Sequence, residues 1–173
     1  DRYVRGLEAD HVVTDNENVG YELTRILLER GHKSLGFITT PLDNTTVEDR
    51  LAGHRRALEE AGMEYVSGLT GIAASDEESM SVVVHRIMAH HQRPTAFLCT
   101  NDGAADKLFG ELEALGYKVP QDVEIATVDD NEFVQAIDLP IVAASQRGYE
   151  MGRQSAEMLI ARTEDPSRPA EGR

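Results

Sequence analysis

Residues 34–62, SLGFITTPLDNTTVEDRLAGHRRALEEAG, hold one full strand, loop and helix, and strand and helix patterns alternate along most of the chain without an internal sequence repeat. Ser34 to Thr39 is a short apolar run of strand composition that ends in a polar loop. Val47, Leu51, His54, Leu58 and Ala61 then recur at helical spacing until Gly62, a residue suited to ending a helix. Upstream, His11-Val12-Val13-Thr14 reads as a strand. Asp15-Asn16 then caps a helix with Val19, Leu23, Ile26 and Leu27 on one face, closed by Gly31. Downstream, a weaker strand is expected around Leu69 to Ala73. Ser75 with Glu78 forms a capping-box pattern before a helix that buries Met80, Val83, Val84, Ile87 and Met88. Thr95 to Thr100 has the composition of a buried strand, and Asn101-Asp102 starts a helix carrying Leu108, Leu112 and Leu115 that stops at Gly116. Val123 to Val128 and Ile141 to Ser145 are the next strands, and a last helix runs from about Arg147 to Ala161.

Strands separated by helices of this length need crossover connections, which makes them parallel neighbours in a sheet covered on both faces. The predicted architecture is therefore a doubly wound α/β fold. Thr163 to Arg173, rich in Pro, Arg, Glu and Asp with no apolar period, is expected to be a flexible surface tail.

Composition excludes several classes of function. A chain of 173 residues with 40% hydrophobic residues can bury a sizeable core. Its formal net charge of −14 repels phosphate backbones, so any DNA-binding module is expected outside this stretch. The lone Cys99 lies in an apolar run and reads as a buried thiol. No apolar stretch approaches the ~18 residues that span a bilayer, and no secretory signal is present. A cytoplasmic location is expected. Because the chain opens on Asp1-Arg2 without a methionine, a preceding segment is expected as well. His85, His90 and His91 do not put two ligands one turn apart on a single face with a completing cysteine or carboxylate, so no metal site is predicted. Ser145 and His54 lack a nucleophile elbow, and no Gly-rich phosphate loop is present, so neither catalysis nor a cofactor is expected.

Ligand sites of open parallel sheets lie beyond the carboxyl ends of the strands. Asn44 and Arg50 follow the strand ending at Thr39, Asn101 and Asp102 follow Thr100, Asp129 and Asp130 follow Val128, and Gln146 follows Ser145. One shared rim is expected. Arg50 reads as lying in the first turn of its helix, where the macrodipole disfavours a cation by roughly 0.3 to 1 kcal/mol. Either a neighbouring acid holds it at the surface, or its rigid fork of donors serves adjacent hydroxyls or a carboxylate. Asp129 offers a carboxylate to paired hydroxyls, although Asp129-Asp130-Asn131 is also a good turn sequence. Asn101 is assigned to a ligand and Asp102 to the helix N-cap.

Arg50-Leu51-Ala52-Gly53, Pro94-Thr95-Ala96, Asn101-Asp102, Val119-Pro120, Asp122-Val123 and Asp129-Asp130 occur in an order and spacing that resemble the effector-binding core of LacI/GalR-type transcriptional regulators. Asp15-Asn16, Gly20, Leu23-Thr24, Arg30-Gly31-His32-Lys33 and Leu35-Gly36-Phe37-Ile38 extend the likeness, which covers almost the whole chain to Gly152. The resemblance implies a periplasmic-binding-protein-like fold of type I. Residues 1–13 would be the end of the N-terminal lobe and a crossover, 14–144 the C-terminal lobe, 145–162 a return helix to the N-terminal lobe and 163–173 the tail.

It also implies a small polar effector (a sugar, polyol or nucleoside) in an interlobe cleft, a homodimer, and operator DNA bound through a headpiece outside this chain. Arg50, Asn101 and Asp129 match positions that usually contact the effector, Gln146 a cleft-hinge position, and Asp1 an acidic contact of the N-terminal lobe. Near Ser75 the family commonly places an aromatic residue, and this chain has Ala74-Ser75-Asp76, which disfavours a stacked purine. Arg147, Gly148 and Thr127-Val128 are further departures. A sugar-binding protein of an ABC transport system would share the fold.

Overall fold

Along β1 (Leu35–Thr39) successive side chains enter two different cores: Leu35 and Phe37 pack on one face of a sheet, Ile38 on the other. This alternation of period two continues in β3 (Ala96–Cys99) and β4 (Glu124–Val128), all of whose residues are buried, as expected of strands covered on both sides. The structure, a computed structural model, describes residues 3–39, 44–72, 79–129 and 141–173. With β2 (Thr70–Ile72) and β5 (Val142–Ala144) these strands form a parallel sheet in the order β2-β1-β3-β4-β5. Helices α1 (Asn16–Glu29) and α2 (Thr45–Glu60) cover one face, and α3 (Met80–Met88) and α4 (Asp102–Ala114) the other. The doubly wound architecture is thus present. Among the described residues, no helix is long and apolar enough to cross a membrane.

Helices α1 and α2 touch backbone to backbone at two glycines. A Cβ on Gly20 would overlap the carbonyl of Arg50, and one on Gly53 would overlap the carbonyl oxygen of Glu17 and lie 2.6 Å from the amide nitrogen of Tyr21. Gly53, the last residue of the Arg50-Leu51-Ala52-Gly53 motif, therefore serves the helix crossing.

Beside this crossing, His54 is 1% exposed. The Thr24 hydroxyl donates its hydrogen to the Gly20 carbonyl (2.7 Å), so His54 Nδ1 must be the donor in the 2.9 Å contact with Thr24 Oγ1. The ring is neutral, its basicity pushed down to about 3, chiefly by burial and next by the charge of Arg55. An unfolded histidine titrates near 6.5, so the unfolded chain binds the proton first and folding stability falls with pH below that value. Between pH 7 and pH 5 the protein is expected to lose about 2 kcal/mol, at a slope approaching ~1.4 kcal/mol per unit. Urea melts at the two pH values test this. His54→Phe should flatten the dependence, and an unchanged slope in that variant would remove His54 as its source.

Several boundaries differ from expectation. The predicted strand 11–14 is reduced to a single parallel bridge, His11 to Gly172, with hydrogen bonds on either side of it. Its partner is the supposedly flexible tail: His11 N donates to the Glu171 carbonyl (3.0 Å) and Val13 N to that of Arg173 (2.7 Å). Arg162 forks onto Asp10 at 2.9 and 3.0 Å, while its other donors reach the carbonyls of Pro166, Arg168 and Pro169. Charge-rich composition suggested an unattached tail because a bidentate pair between positions so distant in sequence leaves no local pattern. The last helix, α5, spans Gly148–Glu164, beyond the expected end at Ala161. Helix α3 is capped by Ser79, whose hydroxyl accepts from Val82 N. The capping box expected at Ser75 and Glu78 lies outside the described residues.

Candidate functional site

The chain leaves β1 through α2 to reach β2, then returns past β1 through α3 to β3, so its winding direction reverses between β1 and β3. Loops leaving two such strands diverge and open a crevice at the carboxyl edge. Arg50 follows β1 and Thr100-Asn101 follow β3, which places both at this switch point.

Arg50 is neither at the surface nor held by an adjacent acid. Helix α2 begins at Thr45, so Arg50 lies in its second turn instead of the first, and the residue is 4% exposed. Its Nε donates to Asn16 Oδ1 at 2.8 Å and its Nη1 to the Thr100 carbonyl. The nearby acids turn outward: Arg5 reaches Asp49 at 2.8 Å and Glu48 at 3.2 Å. Burial works against the guanidinium's charge, and the Asp129 carboxylate works for it.

Asp129 occupies left-handed backbone, φ 76°, a conformation that Asp and Asn tolerate better than most residues. Its amide donates to the Ala144 carbonyl at 2.8 Å, which ties the end of β4 to β5. Its Oδ1 accepts from Gln146 Nε2 at 2.7 Å, and Gln146 Oε1 accepts from the Thr14 hydroxyl at 3.4 Å. Asp129 and Gln146 are therefore joined from the ends of two strands, and the Asp129 carboxylate acts electrostatically on Arg50 in α2. A carboxylate beside a guanidinium and an amide presents converging acceptors and donors, the chemistry that grips vicinal hydroxyls.

The two asparagines do helix work. Asn44 caps α2, accepting from Val47 N at 3.0 Å, and Asn101 caps α4, accepting from Ala104 N at 2.8 Å. The division of roles expected at 101 and 102 is corrected: Asn101 is the N-cap and Asp102 is the first helical residue. Each asparagine cap uses its carbonyl oxygen and keeps its amide donors at the carboxyl edge. Ser75, Asp1 and Asp130 lie outside the described residues.

Sequence reasoning passed over Asn16, Thr14 and the Thr100 carbonyl. Asn16 is 4% exposed and orders its own side chain by donating to the Thr14 carbonyl at 2.9 Å. A signal was available, since Asn16, Gly20 and Thr24 repeat at one-turn spacing on the same face as Leu23 and Leu27. A polar and small stripe inside an apolar face marks a buried polar contact. The Thr100 carbonyl carried no signal, because a backbone group is the same in every residue.

An open parallel sheet with polar side chains gathered at its switch point is the architecture of a ligand-binding doubly wound protein. Residues 24–173 match the periplasmic binding protein-like domain family, and the chain belongs to it. It is 27% identical over 158 residues to the HTH-type transcriptional repressor PurR of Vibrio atlanticus, covering 91% of this chain and 47% of that protein. It is 28% identical over 161 residues to the ribose operon repressor of Haemophilus influenzae, with 93% and 48% covered. The crystal structure of a LacI-type transcriptional regulator from Bacillus cereus subsp. cytotoxis superposes with a TM-score of 0.87 at 27% identity, over 98% of this chain and 60% of that one. The chain spans about half the length of the curated relatives it matches.

Proposed function

We propose that this chain is the ligand-sensing part of a LacI-type DNA-binding transcriptional regulator, a cytoplasmic repressor. It takes a small polar effector, a sugar in preference to a stacked purine, at the carboxyl edge of the sheet. The observation that carries the reading is Arg50 buried at the point where winding reverses, its charge favoured by the carboxylate of Asp129, which Gln146 holds. Asn101 and Asn44 add donors from the adjoining helix starts, with Ser75 and Asp1 assigned to the same cleft. The relatives reported above are repressors, one of them named for a ribose operon, which favours regulation over a transport role on the same fold.

Effector binding regulates through differential affinity for two arrangements of the lobes. A coupling of about 1 to 3 kcal/mol changes operator affinity some 5- to 150-fold. Gln146 is placed for this, because its amide joins Asp129 to Thr14, just ahead of α1. Operator contact comes through a headpiece outside this chain, and two half-sites call for a homodimer.

A thermal-shift screen of sugars, polyols and nucleosides on the full-length regulator identifies the effector. Ligand at one hundred times its dissociation constant stabilises by about 2.7 kcal/mol. Asp129→Asn keeps a residue that accepts the left-handed backbone but removes the charge. It is expected to weaken the effector roughly 10- to 150-fold, the equivalent of a charged hydrogen bond of about 1.5 to 3 kcal/mol. Undiminished affinity in that variant would remove Asp129 from the site.

A further inference from the structure

The amino ends of the strands frame a second cavity, on the opposite edge of the sheet from Arg50 and Asp129. Leu35 and Thr70, which open β1 and β2, and Thr95, just ahead of β3, line it. Its volume is about 850 Å³, in the range of about 300 to 1,000 Å³ usual for small-molecule sites. The floor is apolar, with Leu35, Leu58, Leu69 and Met88, while Lys33, His90, His91 and Arg93 lie around it.

The charge of the lining runs against that of the chain. In a chain of net charge −14, most arginines hold carboxylates: Arg25, Arg30, Arg56, Arg153 and Arg162 all do. Lys33 and Arg93 have no carboxylate partner among the described residues. Arg93 instead donates to the Tyr117 hydroxyl at 3.3 Å, its guanidinium 5.5 Å from that ring. The segments that carry the two cations are tied together beside them. The Ser34 hydroxyl donates to the Gln92 carbonyl, and Thr95 N donates to the Ser34 carbonyl at 3.0 Å. His90 also lines the cavity. His90 Nδ1 accepts from Gln92 N at 3.1 Å, so its Nε2 carries the proton. Glu64 is the one acid among the lining residues. With Lys33 and Arg93 against that single carboxylate the lining is net positive, and a concave site of net positive charge above a low-dielectric floor concentrates anions.

We propose that this cavity binds a phosphorylated small molecule, its phosphate held by Lys33 and Arg93 and its organic part seated on the apolar floor. The site lies on the far edge from the effector residues, so the two ligands do not compete. His54 lines the cavity and stands one turn beyond Arg50 on α2, which gives the two edges a shared rigid element.

Isothermal titration of the full-length protein with ribose 5-phosphate and with inorganic phosphate, at ionic strength matched with chloride, tests the proposal. Saturable binding of both probes is expected, the sugar phosphate the tighter. The double variant Lys33→Ala/Arg93→Ala should weaken both at least tenfold, and Lys33→Glu should weaken them as well, while Asp129→Asn leaves them unchanged. Both cations are exposed, so the substituted proteins should keep the parent's thermal midpoint. Absence of saturable heat, equal binding by the double variant, or loss of binding in Asp129→Asn, which would move the phosphate to the opposite edge, each overturns the proposal.

Discussion

Gly53→Ala is expected to cost about 3 kcal/mol of folding stability and to lower the thermal midpoint by roughly 6 to 12 °C, at the ~2 to 4 °C per kcal/mol usual for this chain length. Two effects oppose each other. Alanine is favoured over glycine inside a helix by up to ~1 kcal/mol, which alone would stabilise α2. The added Cβ, however, would overlap the Glu17 carbonyl and stand 2.6 Å from the Tyr21 nitrogen. These are backbone atoms of α1 and cannot rotate away, so the helices must move apart. Overpacking typically costs about 1 to 3 kcal/mol and sometimes more, and an obstacle of rigid backbone belongs at the upper end. Gly110→Ala supplies the contrast, since a Cβ there meets nothing within 4 Å and only the helix preference of α4 remains. That variant should gain about 0.5 to 1 kcal/mol. Urea denaturation of both proteins decides the matter: equal signs for the two substitutions would refute the tight crossing.

Arg50→Ala is expected to lose about 3 kcal/mol or more and to abolish the effector response together. Hydrogen bonds from a charged donor are worth about 1.5 to 3 kcal/mol each, and Arg50 makes one to Asn16 Oδ1 at 2.8 Å and one to the Thr100 carbonyl. Removing the side chain strands both acceptors in a buried place and opens a void between α1, α2 and the end of β3. Arg50→Lys keeps a positive charge without the planar fork and should recover only part of the loss. Stability is measured without ligand by urea denaturation, and effector affinity by titration at a temperature where the variant stays folded. An Arg50→Ala protein as stable as its parent would mean that the guanidinium does not join these elements. A stable protein with undiminished affinity would remove it from the ligand site too.

Much of this molecule was legible in one dimension. The two-residue alternation of apolar side chains in β1, the helical spacing of α1 and α2, and the glycines at 31, 62 and 116, all with positive φ, identified the elements within a few residues. Elements of those lengths in that order leave a parallel, doubly covered sheet as the arrangement that satisfies the backbone and buries both faces. The Asp129 and Gln146 positions were readable as strand ends for the same reason, whereas Arg50 was read one turn too early in its helix. The helix cap was read at Asp102 and is Asn101. Either residue can cap a helix, and only backbone geometry, extended at Asn101, selects between them.

Local pattern thus determined which residues form strands and helices, and so the doubly wound class, because periodicity and capping act over a few neighbouring residues. Tertiary structure alone decided that Gly20 and Gly53 face each other, that Asn16 and a backbone carbonyl hold Arg50, and that residues 171–173 pair with 11–13. Those contacts join groups far apart along the chain, and a hydrogen bond or a close approach at such separation depends on how the helices cross and where the strands end.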